Sequence, residues 1–334
     1  VNAAIAAVPL WVIVLIKSAI LLLIVVTTFA YSMLAERKIM AWMQLRPGPN
    51  RVGPWGMMQP AADALKMMFK EDLTPNTADP LIYKLAPFIS LITAMGTYAI
   101  IPFTGDSGGA YSVGDVNAGI LFIFSLTSIG VYGISLAGWA SGSKFPLLGS
   151  VRSTAQMISY ELSMSMSVIG VLILTGSTSL AAIVNSQARV WFIVPQIVGF
   201  LIYLITAVAE TNRAPFDLVE AETELVGGFH TEYSGLRFGL FFIAEYLNMI
   251  TVSCLATLLF LGGWNPLFGP ADNPWLGLVW FLIKAGAFLF FYIWLRSTLP
   301  RLRYDRLMDF GWKVLLPVAT LNLVVTAVII AVRG

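Results

Sequence analysis

The sequence predicts an all-α polytopic membrane protein: eight transmembrane helices, both termini outside, and long cytoplasmic loops that include an interfacial amphipathic helix. Three observations carry this. Of the 334 residues, 58% are hydrophobic and only 11% charged, with a mean hydropathy of +0.81, whereas a soluble domain carries about a quarter charged residues. Eight stretches come close to the ~20 apolar residues that a bilayer core demands. The cations fall almost entirely on alternate loops. The whole chain, 1–334, reads as a single transmembrane domain.

The spans run roughly Val8–Leu34, Leu81–Pro102, Val116–Ala140, Gln156–Gly176, Trp191–Ala209, Phe238–Gly262, Trp275–Leu299 and Trp312–Val332. The first is too long for a signal peptide and lacks a small-residue cleavage site; the chain begins at Val1, which leaves room for an initiator Met or short leader. Loops after the odd spans hold Arg37, Lys38, Arg46, Arg51, Lys66, Lys70, Lys144, Arg152, Arg213, Arg237, Arg301, Arg303 and Arg306; those after the even spans hold only Arg189. The positive-inside rule therefore puts the odd loops in the cytoplasm. In the first of them Pro60 can open a helix. Met58, Ala61, Leu65, Met68 and Phe69 then share one face, and Asp63, Lys66 and Lys70 another, as in a helix lying in the membrane interface. No internal repeat supports an inverted-repeat transporter.

Composition excludes several chemistries. A net charge of +2 is too small for a nucleic-acid binder. One Cys (Cys254) and one His (His230) exclude a disulfide framework, a thiolate-ligated iron–sulfur cluster, a Cys/His zinc site and bis-His haem within this chain. Gly105-Asp-Ser-Gly-Gly109 matches the serine motif of chymotrypsin-like proteases, but it lies in an external loop, across the bilayer from His230.

Charges inside spans are expensive and therefore mark candidates. Glu161 and Glu245 lie within spans four and six, Lys17 and Lys284 within spans one and seven; Lys84 and Arg296 lie near ends, where they can snorkel. For the two carboxylates the choices are a proton route or an inter-helix pair. The fifth-to-sixth connection, Glu210 to Tyr233, is the densest polar region. It holds Glu210, Arg213, Asp217, Glu220, Glu222 and Glu224, with Leu218, Val219, Leu225, Val226 and Phe229 interleaved. Glu220 and Glu224 share a helical face. Crowded carboxylates in a low dielectric cannot all ionise, so the cluster can store protons. The first internal loop is cationic and made rigid by Pro47, Gly48, Pro49 and Gly53. It suits anionic lipid, a soluble subunit or a polar headgroup.

Two long signatures resemble one family. The first runs Ala35-Glu-Arg-Lys-Ile39, Gln44-Leu-Arg-Pro-Gly-Pro-Asn-Arg-Val-Gly-Pro54, Gln59-Pro-Ala-Ala-Asp63 and Lys66; the second runs Ala209-Glu-Thr-Asn-Arg-Ala-Pro-Phe-Asp-Leu218, Glu232-Tyr-Ser-Gly235 and Ala244-Glu-Tyr246. Gly138-Trp-Ala-Ser141, Arg152-Ser-Thr-Ala-Gln156, Ser159-Tyr-Glu161 and Pro300-Arg-Leu-Arg-Tyr-Asp305 add to them. The family is the membrane subunit that joins the two arms of respiratory complex I, the proton-translocating NADH:quinone oxidoreductase.

The resemblance implies a quinone access tunnel, with ubiquinone or menaquinone as substrate. It also implies that NADH, FMN and the iron–sulfur clusters reside in partner subunits and that this chain ligates no metal or covalent cofactor. By position it assigns Arg37, Arg46, Asp63, Lys66, Arg213, Phe216 and Asp217 to the tunnel. Glu161, Glu210, Glu220, Glu222, Glu224 and Glu245 fall to a proton or coupling path. Expected partners are the soluble subunits on the cytoplasmic side, small and antiporter-like membrane subunits, and lipids, in a bacterial inner membrane. The homologous anchor of a membrane-bound hydrogenase, formate hydrogenlyase or ferredoxin-linked dehydrogenase is the alternative. A stand-alone transporter explains the buried charges but not the long internal loops.

Overall fold

The computed structural model describes residues 9–104, 116–217, 226–266 and 273–333. Glu220, Glu222, Glu224 and residues 105–109 lie outside the described residues. The described residues form helices and no strand: α1 (Leu10–Met43), α2 (Gln59–Phe69), α3 (Pro80–Thr97), α4 (Gly119–Ala140), α5 (Lys144–Thr175), α6 (Leu180–Ser186), α7 (Ile197–Glu210), α8 (Gly235–Phe260), α9 (Pro274–Thr298), α10 (Tyr304–Phe310) and α11 (Leu316–Arg333). A π-turn, Gly311–Leu315, joins the last two into one apolar rod.

Among the described residues, seven helical segments are long and apolar enough to cross a membrane. The fifth expected stretch behaves differently. Residues 191–196 are turn and coil, and α7 has 14 residues, about 21 Å of rise against a ~30 Å core.

Two helices are longer than expected, and for one reason. Hydropathy stops at the first charge, but backbone geometry does not. Glu36, Arg37 and Lys38 are good helix formers, so α1 continues through them to Met43, and Leu45 ends it in a left-handed conformation (φ 54°). Arg37 and Lys38 are thus helix residues, not loop residues. Lys144 and Arg152 are likewise part of α5.

Helix α8 is the core. From Met249 to Phe260 every residue is buried, among them Thr251, Ser253, Cys254 and Thr257. Its hydroxyls are satisfied locally: Ser253 donates to the Met249 carbonyl and Thr257 to that of Ser253, at 2.8 and 2.9 Å. Tyr98 and Tyr203 donate to its carbonyls from α3 and α7, so this helix is held by hydrogen bonds as well as packing. Gln196 locks the α11 rod against the bundle, donating to Thr326 Oγ1 at 2.6 Å and accepting from Asn322 Nδ2 at 2.9 Å. Lys284 closes the far end of α8. Its Nζ donates to the carbonyls of Leu261, Gly263 and Asn265 at 2.6, 3.0 and 2.6 Å and sits 4.3 Å from the Trp191 ring centroid. It is a tethered cation at a helix C-terminus.

Candidate functional site

The site is built around Arg213. Helix α7 ends at Glu210, and Asn212 takes a left-handed turn (φ 51°), which asparagine tolerates better than most residues. Gln156 of α5 clamps the turn from beneath, its Nε2 donating to the carbonyls of Ala209 and Phe216 at 2.7 and 2.8 Å. Phe216 is buried with its ring 5.8 Å from that of Tyr160. The chain is thereby folded back so that Arg213 points into protein, 5% exposed.

Arg213 meets two carboxylates. Its Nη1 lies 3.2 Å from Glu36 Oε1 of α1 and its Nε 2.6 Å from Glu245 Oε1 of α8, with the guanidinium 4.4 Å from the Tyr246 ring centroid. Arg296 of α9 donates to the same Glu36 oxygen. Burial opposes a charged Arg213, but Glu245 and Glu36 outweigh it and hold the guanidinium above the ordinary arginine range. Two Arg and two Glu from α1, α8, α9 and the α7–α8 connection therefore form a neutral quartet. In sequence Glu36 reads as one member of a cationic run. Arg296 does not snorkel; it reaches inward because Glu36, 2% exposed, requires a counter-ion.

On one side of the quartet lies a small chamber with a mixed polar and apolar lining. Glu245, Glu210, Asn248, His230, Ser90 and Asn212 all line a cavity of about 50 Å³, room for ~3 water molecules. Ser90 Oγ, Glu210 Oε2 and Asn212 Oδ1 are buried without a hydrogen-bond partner among the described residues. Buried polar atoms are rarely left so, and three of them border this cavity. Glu161 lies within electrostatic reach of Glu210 and receives a hydrogen bond from Ser128 of α4. The order is thus Arg213, Glu245, chamber, Glu210, Glu161. His230 is wedged edge-on between Phe229 and Phe238, with ring centroids 5.1 and 5.2 Å away. Burial pushes its imidazole below the ordinary value of 6.5, against an upward pull from Asp217.

On the other side lies the interfacial patch. Helix α2 turns Gln59 and Asp63 inward: Arg37 pairs with Asp63 at 2.7 Å, and Gln59 donates to the same carboxylate at 3.0 Å. Its apolar residues Ala61, Leu65, Met68 and Phe69 face outward and are exposed. Two clefts open here. One of about 310 Å³ lies between Arg37, Asp63, Lys66 and the Tyr233–Phe238 segment; one of about 290 Å³ lies between Arg37, Arg46 and the Pro47–Pro49 turn. Arg37 is common to both. Lys38 pins the loop by donating to the Trp55 carbonyl.

Of the residues singled out in sequence, Arg37, Arg46, Asp63 and Lys66 therefore gather at the interface. Arg213 and Glu210, both buried, and Glu245 and Glu161, both partly exposed, form a line within the bundle, with Phe216 and Asp217 beside it. Glu36, Arg296, Tyr246, Ser128 and Asn248 join them unannounced. Glu36 and Tyr246 stand within the two signatures, and Glu36 is also an acid in an otherwise cationic helix end. Among the described residues no group of three His, Cys, Asp or Glu could hold a metal.

A family model described as NADH dehydrogenase matches residues 16–327. The first of the H-type NADH-quinone oxidoreductase subunits of Geobacter metallireducens is 52% identical over 323 residues, covering 95% of this chain and 96% of that protein. Its counterpart in Symbiobacterium thermophilum, also the first of the H type, is 51% identical over 316 residues, covering 95% and 96%. The H-type NADH-quinone oxidoreductase subunit of Deinococcus deserti is 52% identical over 328 residues, covering 95% and 83%.

Proposed function

The chain belongs to the NADH dehydrogenase family, as a complex I subunit of the H type, and from that premise we propose that it admits quinone at the interfacial patch and relays the consequence of its reduction along the intramembrane carboxylates. It is a multi-pass subunit of an oxidoreductase complex in the bacterial inner membrane, with quinone as the substrate of the whole. The relatives' names favour this reading over a hydrogenase anchor.

The single observation that carries the proposal is the quartet. Among the described residues it joins the interfacial helix end, through Glu36, to the intramembrane carboxylates, through Glu245. Arg37, Arg46, Asp63 and Lys66 form the tunnel mouth, where paired charges orient a polar headgroup while the outward apolar face of α2 lies in lipid. Arg213, Phe216 and Asp217 shape its middle. Two charges 4 Å apart interact by roughly 4 kcal/mol at an effective dielectric of 20. A negative charge arriving near Arg213 therefore competes with Glu245 for it on a scale that matters. Glu245 then exchanges a proton through the chamber with Glu210, and Glu210 with Glu161. Glu220, Glu222 and Glu224 belong to the same path by position. In this reading α7 is the fifth of eight spans, both termini lie outside, and the peripheral subunits dock on the cytoplasmic loops. Antiporter-like subunits receive the relay.

The test is Glu210→Gln in the intact complex. We expect quinone-linked proton pumping to fall at least tenfold while NADH oxidation by ferricyanide persists. Unchanged pumping per NADH oxidised would sink the relay. A photoreactive quinone analogue that labels only other subunits would sink the tunnel.

A further inference from the structure

Helix α2 has no buried residue, so packing alone does not fix where it stands. Near its start it is held by the Arg37–Asp63 pair, whose arginine is 43% exposed, and exposed pairs hold weakly. Its last turn rests on the first turns of α8. A Cβ on Gly235 would lie 3.2 Å from the Lys70 carbonyl oxygen, and one on Gly239 2.9 Å from Met67 Sδ. The chain that leaves α2 is then tied to the start of α8 by two side chains. Ser234 Oγ accepts from Leu73 N at 3.2 Å and donates to the Glu71 carbonyl at 3.1 Å. Arg237 Nε pairs with Asp72 at 2.9 Å, and its Nη1 donates to Thr74 Oγ1 at 2.8 Å. Residues 71–74 thus form a strap. The start of α8 is itself clamped to α3. Tyr233 stacks on Tyr83 with ring centroids 4.1 Å apart. Tyr83 donates to the Glu232 carbonyl at 2.7 Å and Tyr233 to the Tyr83 carbonyl at 3.1 Å.

These two walls enclose the cleft of about 310 Å³. Asp63, Lys66 and Lys70 line it from α2, and Tyr233, Ser234 and Gly235 from the start of α8. We propose that Ser234 and Arg237 are positioning residues for quinone entry. By strapping residues 71–74 to the start of α8 they set the width of the cleft and the angle at which Asp63 and Lys66 meet a polar headgroup. Both roles rest on the reading of this cleft as the tunnel mouth. Arg237 acts through Asp72 and Thr74, and Ser234 through backbone groups of Glu71 and Leu73. The form of the strap favours positioning over simple fastening. Glu71, Asp72, Leu73 and Thr74 are all exposed, so holding them buries little apolar surface. Hydrogen bonds, unlike apolar packing, fix a distance and an angle. Without the strap α2 would swing about Asp63. Lys70, seven residues or about 10 Å further along the axis, would then move farthest from its opposite wall.

The experiment measures NADH:decylubiquinone kinetics in membranes that carry the intact complex, with ferricyanide reduction as the control for the peripheral subunits. Arg237→Gln should raise KM for decylubiquinone about fivefold, the scale of one partly exposed ion pair. Its kcat should stay within twofold of wild type, as expected when binding and not chemistry is lost. Asp72→Asn should raise KM in the same way, and the double variant should match Arg237→Gln, because both changes break one tether. Arg237→Lys, which keeps the pair with Asp72, should hold KM within twofold of wild type. Should Arg237→Gln not assemble, Asp72→Asn tests the same tether from its exposed side. An azido derivative of decylubiquinone separates the strap from the mouth. Label on α2 and the start of α8, with KM unmoved by the variants, would overturn the strap and leave the mouth standing. A fall in kcat with KM unchanged, or KM effects of the two single variants that multiply in the double, would overturn the strap equally. Label on neither wall would remove the mouth and the strap's role with it.

Discussion

Glu36 offers the sharpest test of the quartet. It is 2% exposed and pairs with both Arg213 and Arg296. Glu36→Gln keeps the shape and removes one charge, leaving two arginines to share Glu245. Breaking a buried pair by removing one partner costs about 3–5 kcal/mol. If about 3 kcal/mol falls on the native state and not on the barrier to its loss, inactivation accelerates by roughly 150-fold. Arg296→Met in the same chain restores neutrality, with Arg213 and Glu245 remaining as a pair. The double variant should therefore inactivate within about tenfold of wild type, a coupling of at least ~1.5 kcal/mol in the cycle. The assay is the half-life of quinone reductase activity at a fixed elevated temperature, with ferricyanide reduction as the control for the peripheral subunits. If Arg296→Met adds its own penalty to that of Glu36→Gln, the four charges do not act as a unit.

Two further outcomes follow from the chamber's rim. His230 is held neutral by burial, so its folded value lies below the 6.5 of an exposed histidine. A depressed value gives stability that is present above 6.5 and lost as pH falls from there through the folded value. The thermal half-life should be flat above about pH 7 and shorten below 6.5, and His230→Gln should remove the part of that slope due to this side chain; an unaltered slope in the variant refutes it. Gly149 of α5 admits the turn that carries His230: an added Cβ would lie 2.7 Å from Gly228 Cα and 2.9 Å from Phe229 N, both backbone. Gly149→Ala should cost about 1–3 kcal/mol, read as a half-life shortened at least fivefold, whereas wild-type half-life would show that the turn moves freely.

What is legible in the sequence is whatever depends on one helix at a time. The apolar stretches, the amphipathic α2 and the intramembrane positions of Glu161, Glu245, Lys17 and Lys284 need only a rise per residue and a period. What is hidden depends on two or more helices. Glu36 resembles part of a basic run because Arg37 and Lys38 are its neighbours in the chain; its actual partners are 177 and 260 residues away. Arg296 looks able to snorkel because its distance from the helix end is visible and the carboxylate opposite is not. Lys284 shows no partner in the sequence because carbonyls at a helix end carry no side-chain signature. The length of α1 escapes for a different reason: hydropathy reports where lipid ends, not where the hydrogen-bond ladder ends.

The quartet and the chamber stand in an energetic relation that argues for function. A buried ion pair adds little stability over a well-packed apolar replacement and often less than none. Ser90, Glu210 and Asn212 also carry buried polar atoms without protein partners among the described residues, each a cost rather than a gain. A bundle selected for stability alone would fill this volume with leucine. Orphaned buried atoms also occur at Thr154, Ser163 and Tyr292, but the carboxylates follow one another, from Glu36 through Arg213 to Glu245, Glu210 and Glu161. In the proposed relay the neutral quartet confines its field until one member is drawn away, and the chamber beside it supplies the proton that meets the released charge. Stability spent along this line of carboxylates is what the proposed charge relay requires.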